Sequence, residues 1–388
     1  MSADDYFVSH RLGSIAQVAG GLALGRSVSE REGVEVPYLR VANVQDGYID
    51  TSEMKSVRVL PGEIERYRIR KGDLLLTEGG DLDKLGRGAV WDGRIPVCLH
   101  QNHLFRVRSD RNVVLPEYLS LYVSSQLGKR YFLGAAKQTT NLATISSSQL
   151  KSMPIPCPEL WIQRKILRIL DSMTQSEQST EASIAKMQSV QEGLLSKLLG
   201  SPDGLAVAAG GSPYATCRDV LKMAGGLPLG QAELNPVGRY QIFSSGGLAG
   251  RGDRQITGGP AIIIGRVGEG AGSVHFSSES AWVTDNALWV KRIAPGWIPE
   301  FIAIYLRWID LRKYQSQTGQ PLVTQGVIGR VSIPPLDLAE QQKIVRVHNS
   351  WEEELQASRS FLAKLRALRS GITDGIFSGK IVSRLGRV

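Results

Sequence analysis

The stretch Ala19-Gly20-Gly21-Leu22-Ala23-Leu24-Gly25 returns 205 residues later as Ala224-Gly225-Gly226-Leu227-Pro228-Leu229-Gly230. Two later segments are repeated as well. Ile155-Pro156 returns as Ile333-Pro334, and the run that begins at Gln163 returns at Gln341 with a spacing of only 178 residues. Two copies of one unit show this shrinking offset when their surface loops have diverged in length. The chain is therefore predicted to contain an internal repeat with a pseudo-two-fold relation.

Each copy is predicted to be a compact mixed unit of helices and strands. Leu74–Leu76 and Ile262–Ile264 are short apolar runs that indicate buried strands. A proline near the first turn indicates helices that begin at Pro116 and Pro299. We expect an α+β protein with two α/β domains separated by two long helices.

A long helix follows each unit, with apolar positions at alternating steps of four and three residues. This spacing is the seam of a coiled coil, and adding 178 to the first seam gives the second in the same phase. The polar members Glu177, Gln191, His348 and Arg369 are predicted to set the register or face a partner. The alternative is two separate amphipathic helices, each lying on its own domain. The helix-pairing residues predicted from the seams are Ile166, Leu170, Met173, Ile184, Leu194, Leu198, Ile344, Trp351, Leu355, Leu362, Leu365, Ile372 and Ile376.

These patterns also predict the domain boundaries. We expect a first domain at residues 1–157, a helix at 158–200, a linker at 201–213, a second domain at 214–335, a helix at 336–380 and a tail at 381–388. The linker prediction comes from its Gly, Ser, Pro and Ala content.

Composition narrows the class of protein. The 388 residues carry a net charge of +9 and a pI near 9.4, which favours a polyanionic partner. Three scattered cysteines favour a reduced compartment, and no apolar run is long enough to cross a membrane. A cytoplasmic protein is therefore expected.

The sequence argues against several candidate catalytic or ligand-binding sites. Cys98, His100 and His103 have metal-ligand spacing, but aligning Asn102 with Asn286 leaves no matching ligands in the second copy. The glycine-rich run at 265–272 is not followed by the helix that a phosphate loop needs. We therefore predict no metal site, no cofactor and no catalytic residue in this chain.

Basic and amide-bearing loops are the remaining candidates. Such side chains read base edges in the DNA major groove, and loops on a rigid scaffold often carry them. For any single residue the alternative is an ordinary solvated loop. The set, which lies at similar places in both copies, favours contact with DNA. The candidate DNA-binding residues are Arg40, Lys84, Arg87, Lys137, Gln138, Thr139, Thr140, Asn141, Ser244, Ser245, Arg251, Arg254, Arg266, Gln317, Thr318 and Gln320.

The order of these features, present twice, resembles the specificity subunit of type I restriction-modification systems. The similarity covers nearly the whole chain. The stretches that carry it are Gly72–Thr77, Gln101–Val107, Gln138–Leu142, Ile155–Pro158, Tyr240–Gly247, Ile264–Gly268, Thr284–Asn286 and Ile333–Leu336.

The resemblance implies a non-catalytic subunit of a methyltransferase and endonuclease complex. Each α/β unit would be a target recognition domain that reads one half of a bipartite, asymmetric site on double-stranded DNA. The helices would pair antiparallel, set the spacing and dock two methyltransferase (modification) subunits, which restriction subunits can join. S-adenosylmethionine, ATP and Mg would be bound by those partner subunits.

The chain departs from the family pattern at two places. The acidic signature before the second helix, Leu338–Gln341, is replaced by Leu160–Gln163 before the first, so the first docking surface is expected to differ. The glycine-rich loop of the first copy is four residues longer and carries Asp81 and Asp83, which argues against DNA contact by Glu78 or Lys84. The alternatives are a stand-alone or defence-associated DNA-binding module without a methyltransferase partner, and a nuclease.

Overall fold

A computed structural model describes residues 8–25, 28–81, 84–138, 143–200, 215–228, 230, 234–316 and 319–379. The chain forms two compact units. Unit 1 comprises residues 1–179 and 361–388, and unit 2 comprises residues 180–360. Each unit therefore takes one half of each long helix.

The two long helices are 40 residues each and confirm the predicted α+β class. They are α6 (Leu160–Leu199) and α10 (Leu338–Phe377). Glycines follow both helices at positive φ, Gly200 at 81° and Gly379 at 77°. This is the left-handed conformation that commonly ends a helix.

Unit 1 is built around a four-stranded antiparallel sheet in the order β2-β9-β5-β7. A second sheet has the order β4-β3-β8, in which β3 and β8 are parallel. The smaller sheets are β1-β12 and β10-β11-β6. Its described strands are β1 (Val8–Arg11), β2 (Ala16–Gly20), β3 (Val34–Leu39), β4 (Lys55–Val59), β5 (Leu74–Thr77), β6 (Gly79–Gly80), β7 (Gly88–Val90), β8 (Leu99–His100), β9 (Leu104–Ser109), β10 (Lys137–Gln138), β11 (Ala143–Thr144) and β12 (Pro154–Cys157). Its shorter helices are α1 (Leu12–Ile15), α2 (Pro61–Tyr67), α3 (Pro116–Ser124), α4 (Gln126–Ala135) and α5 (Ser147–Lys151), with a 3-10 turn at Val41–Asn43.

Unit 2 repeats this plan. Its four-stranded sheet has the order β14-β20-β17-β18, its three-stranded sheet the order β16-β15-β19, and β13 pairs with β21. Its described strands are β13 (Ala215–Thr216), β14 (Leu221–Gly225), β15 (Tyr240–Ser244), β16 (Gly247–Gly252), β17 (Ala261–Gly265), β18 (Val274–Ser277), β19 (Ala281–Val283), β20 (Ala287–Ile293) and β21 (Ser332–Ile333). Its shorter helices are α7 (Cys217–Val220), α8 (Pro299–Trp308) and α9 (Gln325–Ile328), with a 3-10 turn at Leu311–Tyr314.

The central strands β5 and β17 are buried on both faces. Leu74 and Leu76 face the larger core of unit 1, whereas Leu75 faces a second cluster with Leu39. Ile262–Ile264 divide in the same way between two clusters of unit 2. A strand covered on both faces is a continuous apolar run instead of an alternating one. This confirms the strands predicted from the two triplets.

Both long helices bury their predicted seams. The thirteen helix-pairing residues and the four polar seam residues predicted above are all buried or half-buried, and most positions between them are exposed. In unit 1, Arg369 Nε lies 2.7 Å from Glu177 Oε1. In unit 2, Gln191 Nε2 lies 3.3 Å from His348 Nδ1 and 3.1 Å from Glu352 Oε1. The polar seam residues thus pair with each other, and the two helices are not separate surface helices.

The order of the contacts within each unit is antiparallel. In unit 1 the early residues Ile166 and Leu170 of α6 share a core with Ile376 and Phe377 at the end of α10. The Phe377 ring lies 5.0 Å from the ring of Tyr122. In unit 2 the late residue Leu199 of α6 shares a core with Ile344 near the start of α10.

A buried glutamine joins each long helix to its own α/β unit. Gln163 is 0% exposed, accepts from Leu115 N at 2.9 Å, and donates to the carbonyls of Val113 at 2.9 Å and Pro158 at 2.8 Å. These bonds satisfy backbone groups beside the start of α3 that would otherwise be buried without partners.

Gln341 repeats the arrangement in unit 2. It is also 0% exposed, accepts from Ile298 N at 2.9 Å, and donates to the carbonyls of Gly296 and Leu336, each at 3.0 Å. The repeated Gln-x-Lys-Ile stretch is therefore a structural joint between helix and domain, present once in each unit.

Candidate nucleic-acid interface

The glycine motif that opens each copy positions the loop before strand β9 or β20. A Cβ added to Gly21 would lie 2.1 Å from the carbonyl oxygen of His100, and one added to Gly226 would lie 2.0 Å from that of Thr284. Real Cβ atoms do not approach so closely. Only glycine fits here, and the close approach fixes the backbone just ahead of His103 and Asn286.

Three candidate segments of unit 1 come together around that loop. Residues 41–45, which follow Arg40, line a cavity of about 390 Å³ with Gly79, Gly80, Lys84 and Arg87. Strand β6 pairs with β11, and β11 pairs with β10, which begins at Lys137. The sequence placed these segments far apart, and the sheet brings them to one edge.

Unit 2 assembles the matching edge. The Ser245 hydroxyl donates to the carbonyl of Val267 at 2.6 Å, and the Thr284 hydroxyl donates to Ser244 at 3.0 Å. Gly268 N donates to the carbonyl of Pro321 at 2.9 Å, which brings the segment after Gln320 alongside the glycine-rich loop. We call these two assemblies the loop edges of unit 1 and unit 2.

Matching backbone hydrogen bonds set the correspondence between the two loop edges. Glu78 N donates to His103 O at 3.0 Å, and Arg266 N donates to Asn286 O at 2.9 Å. Ile145 N donates to Glu78 O at 3.0 Å, and Val323 N donates to Arg266 O at 2.9 Å. Arg266 therefore occupies the backbone position of Glu78, and Asn286 occupies that of His103.

This correspondence corrects the sequence alignment of the two copies. Leu104 N donates to Gln101 O and Ala287 N donates to Thr284 O, each closing the turn before its strand. Asn102 is therefore equivalent to Asp285, and the alignment of Asn102 with Asn286 was wrong by one residue. The error arose because identical amide side chains were matched where the backbone turn decides the register.

The side chains at the matched positions are chemically opposite. In unit 1, His103 Nδ1 lies 3.0 Å from Glu78 Oε2. In unit 2, Arg266 and Asn286 are both exposed, and the Arg266 guanidinium makes no hydrogen bond or ion pair within the described part of the chain. Arg266 was predicted from the sequence as a DNA-binding residue, whereas Asn286 was not, and the acidic loop argued against DNA contact by Glu78. The signal that finds them is the duplicated hydrogen-bond frame.

The other predicted residues have varied settings. Arg40 is half-buried and donates from Nη2 to the carbonyl of Glu53 at 3.2 Å. Lys84 pairs with Asp81, and Lys137 and Gln320 are exposed. Arg40, Lys84 and Lys137 thus lie on the loop edge of unit 1 with different freedom to meet a ligand. Thr139, Thr140, Asn141, Gln317 and Thr318 lie outside the described residues, and for Gln138 only the backbone is described.

Two predicted arginines lie at the far end of the β15–β16 hairpin, away from Ser244. Arg251 donates from Nε to the carbonyl of Gly238 at 2.7 Å and from Nη2 to that of Arg239 at 2.8 Å. The Arg254 guanidinium lies 5.9 Å from the ring centre of Trp282. Arg251 therefore holds the segment that precedes the hairpin, and neither arginine belongs to the loop edge of unit 2.

The cysteine and histidine cluster in unit 1 is part of the core. His100 is 0% exposed and its Nδ1 lies 2.9 Å from the carbonyl of Tyr67. Burial lowers the pKa of His100 to about 4 and raises the pKa of Cys98 to about 12. His103 faces Glu78 instead. Within the described residues, no group of three His, Cys, Asp or Glu side chains could hold a metal ion.

Comparison with known proteins finds a family match in the first half of the chain. Residues 5–188 match the type I restriction modification DNA specificity domain. The specificity subunit of the type I restriction enzyme EcoKI from Escherichia coli K12 is 25% identical over 193 residues, which are 47% of this chain and 40% of that protein. The chain thus spans less than half the length of this relative.

Solved structures match almost the whole fold. The S subunit of a type I restriction-modification system from M. genitalium matches with a TM-score of 0.61 and 13% identity, over 96% of both chains. A chain of a type I R-M system, solved for its complex assembly and conformational transition, matches with a TM-score of 0.65 and 16% identity, over 97% of this chain and 98% of that one. At these identities the likeness concerns the fold. With the family match, it confirms the resemblance to specificity subunits. Among the described residues, no helix is long and apolar enough to span a membrane.

Proposed function

From the match of residues 5–188 to the type I restriction modification DNA specificity domain, we propose that the chain is the DNA-reading specificity subunit of a type I restriction-modification complex. We propose further that each α/β unit reads one half of a bipartite, asymmetric site on double-stranded DNA. The recognition domains would be residues 1–157 and 214–335. A DNA-reading subunit of this kind would act in the cytoplasm, where its DNA lies.

The observation that carries the proposal is the matched pair of loop edges. The same backbone hydrogen bonds present Glu78 with His103 in one unit and Arg266 with Asn286 in the other. A common frame with different side chains suits two half-sites of different sequence. Readers of this kind need chemically distinct groups, because each base pair shows its own pattern of donors and acceptors in the major groove. The net charge of +9 supports binding to the phosphate backbone.

The long helices are proposed to set the distance between the half-sites and to dock two methyltransferase subunits, with restriction subunits joining that complex. Their rigidity is supported by seams that are buried or half-buried along their length and by the joints at Gln163 and Gln341. Chemistry would belong to the partners, which are proposed to bind S-adenosylmethionine, ATP and Mg.

Methylome sequencing tests the function. A host with the gene and the partner methyltransferase gene should show a two-part methylation motif, and deletion of the gene should abolish that motif alone. If no motif is lost on deletion, the proposed function is wrong. Exchange of residues 214–335 for those of a relative should change one half of the motif and leave the other half intact. A change in both halves would refute the assignment of one half-site to each unit.

A further inference from the structure

The residue pair at the matched loop-edge position is accessible to solvent in both units, although Glu78 is half-buried. The Glu78 side chain is 33% exposed and that of His103 is 60% exposed. Arg266 and Asn286 are exposed as well. Glu78 and Arg266 each come directly after a strand of the central sheet, whereas His103 and Asn286 come directly before the neighbouring strand. The backbone of Glu78 is bonded to His103 and Ile145, and that of Arg266 to Asn286 and Val323. Such positions hold a side chain in place better than a loop tip does.

The carboxylate of Glu78 in unit 1 restricts which groups of a DNA ligand the loop edge can contact at this position. A carboxylate beside a DNA phosphate would be repelled, so an acidic group on a DNA-binding edge is tolerated where it meets a hydrogen-bond donor. In the major groove those donors are the exocyclic amines of bases, and Glu most often accepts from cytosine N4. Glu78 is suited to this, because Oε2 lies against His103 Nδ1 and Oε1 makes no hydrogen bond to any residue that the structure describes.

Arg266 in unit 2 occupies the same backbone position as Glu78 in unit 1. If the position faces base edges in unit 1, it faces them in unit 2, where it carries Arg266. An arginine without an acidic partner can donate two parallel hydrogen bonds to guanine O6 and N7, the commonest specific contact in protein–DNA complexes.

From these observations we propose that the position of Glu78 and Arg266 determines one base in each half-site. Glu78, positioned by His103, selects a cytosine in the half-site of unit 1. Arg266 selects a guanine in the half-site of unit 2. This proposal rests on the proposed function and adds to it the identity of two bases and of the residues that read them.

The test is the methylation motif of single variants in the complete complex. Arg266→Ala should relax the guanine at one position of the second half-site, with discrimination against other bases falling about 5- to 150-fold, and leave the first half-site unchanged. Glu78→Ala should relax one cytosine of the first half-site only. The double variant Glu78→Arg/His103→Asn places the side chains of unit 2 on the edge of unit 1 and should replace that cytosine by guanine.

Arg330→Ala is the matched control. Arg330 is an exposed arginine of unit 2 that precedes β21, which pairs with β13 at the opposite end of the unit from Gly226. It should leave the motif unchanged. Arg266→Ala removes only exposed atoms, so it remains a valid test if the double variant fails to assemble.

The outcomes separate the two proposals. If Arg266→Ala and Glu78→Ala both keep the wild-type motif, the base assignment is overturned while the proposed function stands. If the two variants relax bases in each other's half-sites, or bases other than guanine and cytosine, the assignment is also overturned. If the wild-type gene produces no two-part motif, the proposed function itself fails.

Discussion

The joint at Gln341 leads to a prediction whose size follows from its hydrogen bonds. Gln341→Met keeps the length of the side chain and removes its amide. It leaves Ile298 N and the carbonyls of Gly296 and Leu336 without their bonds at 2.9, 3.0 and 3.0 Å. Ile298 and Leu336 are half-buried, whereas Gly296 is exposed and its carbonyl can accept a hydrogen bond from water. A buried backbone group without a partner costs about 1–3 kcal/mol. Loss of the bonds to Ile298 and Leu336 should therefore lower the free energy of unfolding of unit 2 by about 2 kcal/mol, the sum of the two lower limits.

Differential scanning calorimetry measures this loss directly. For a unit of this size, 1 kcal/mol corresponds to about 2–4 °C, so the transition of unit 2 should move down by about 4–8 °C. The neighbouring Gln342 is exposed and makes no hydrogen bond from its side chain to the described residues. Gln342→Met is therefore the matched control and should change stability by no more than about 0.5 kcal/mol. Equal transition temperatures for Gln341→Met and Gln342→Met would refute the proposed role of the Gln341 hydrogen bonds.

Three further predictions concern stability. Gly226→Ala should destabilise unit 2 by about 1–3 kcal/mol, because its Cβ would lie 2.0 Å from Thr284 O. The control is Gly225→Ala, whose Cβ would have no atom within 4 Å. Similar midpoints of urea unfolding for the two variants would contradict this prediction. Arg369→Leu should lower the free energy of unfolding by about 1–3 kcal/mol, because it leaves Glu177, which is 7% exposed, without its partner. In a double-mutant cycle, the variant Glu177→Leu/Arg369→Leu should recover most of that loss. Additive losses would argue against a coupled pair. Because burial lowers the pKa of His100 from 6.5 to about 4, the unfolded chain binds more protons than unit 1 in that window, so stability should be full above pH 6.5 and fall as the pH drops towards 4. His100→Leu should flatten this dependence in calorimetry between pH 4 and 7, and an unchanged slope would exclude His100 as its source.

The strands could be predicted from the sequence, but the arrangement of the loops could not. The triplets Leu74–Leu76 and Ile262–Ile264 indicated buried strands because burial on both faces leaves a continuous apolar run. The sequence could not say that Ser244 and Arg266 meet at one edge while Arg251 does not. In the sequence Arg251 does not differ from other basic loop residues, because its hydrogen bonds to two backbone carbonyls form only in the folded chain.

By itself, the sequence determined the repeat, the α+β class, both long helices and the phase of their seams. These are periodic properties: a buried stripe must recur with the period of the helix, and a duplicated unit must recur along the chain. Only the tertiary structure decided which residues are equivalent between the copies and which polar seam residues pair, since Glu177 meets Arg369 across 192 positions of sequence. The seam pair joins side chains that are distant in sequence. The equivalences between the copies depend on backbone hydrogen bonds between distant segments, and a hydrogen bond of the backbone does not depend on the identity of the side chain. That is why Glu78 and Arg266, which share one backbone position and have opposite charge, could be matched only in three dimensions.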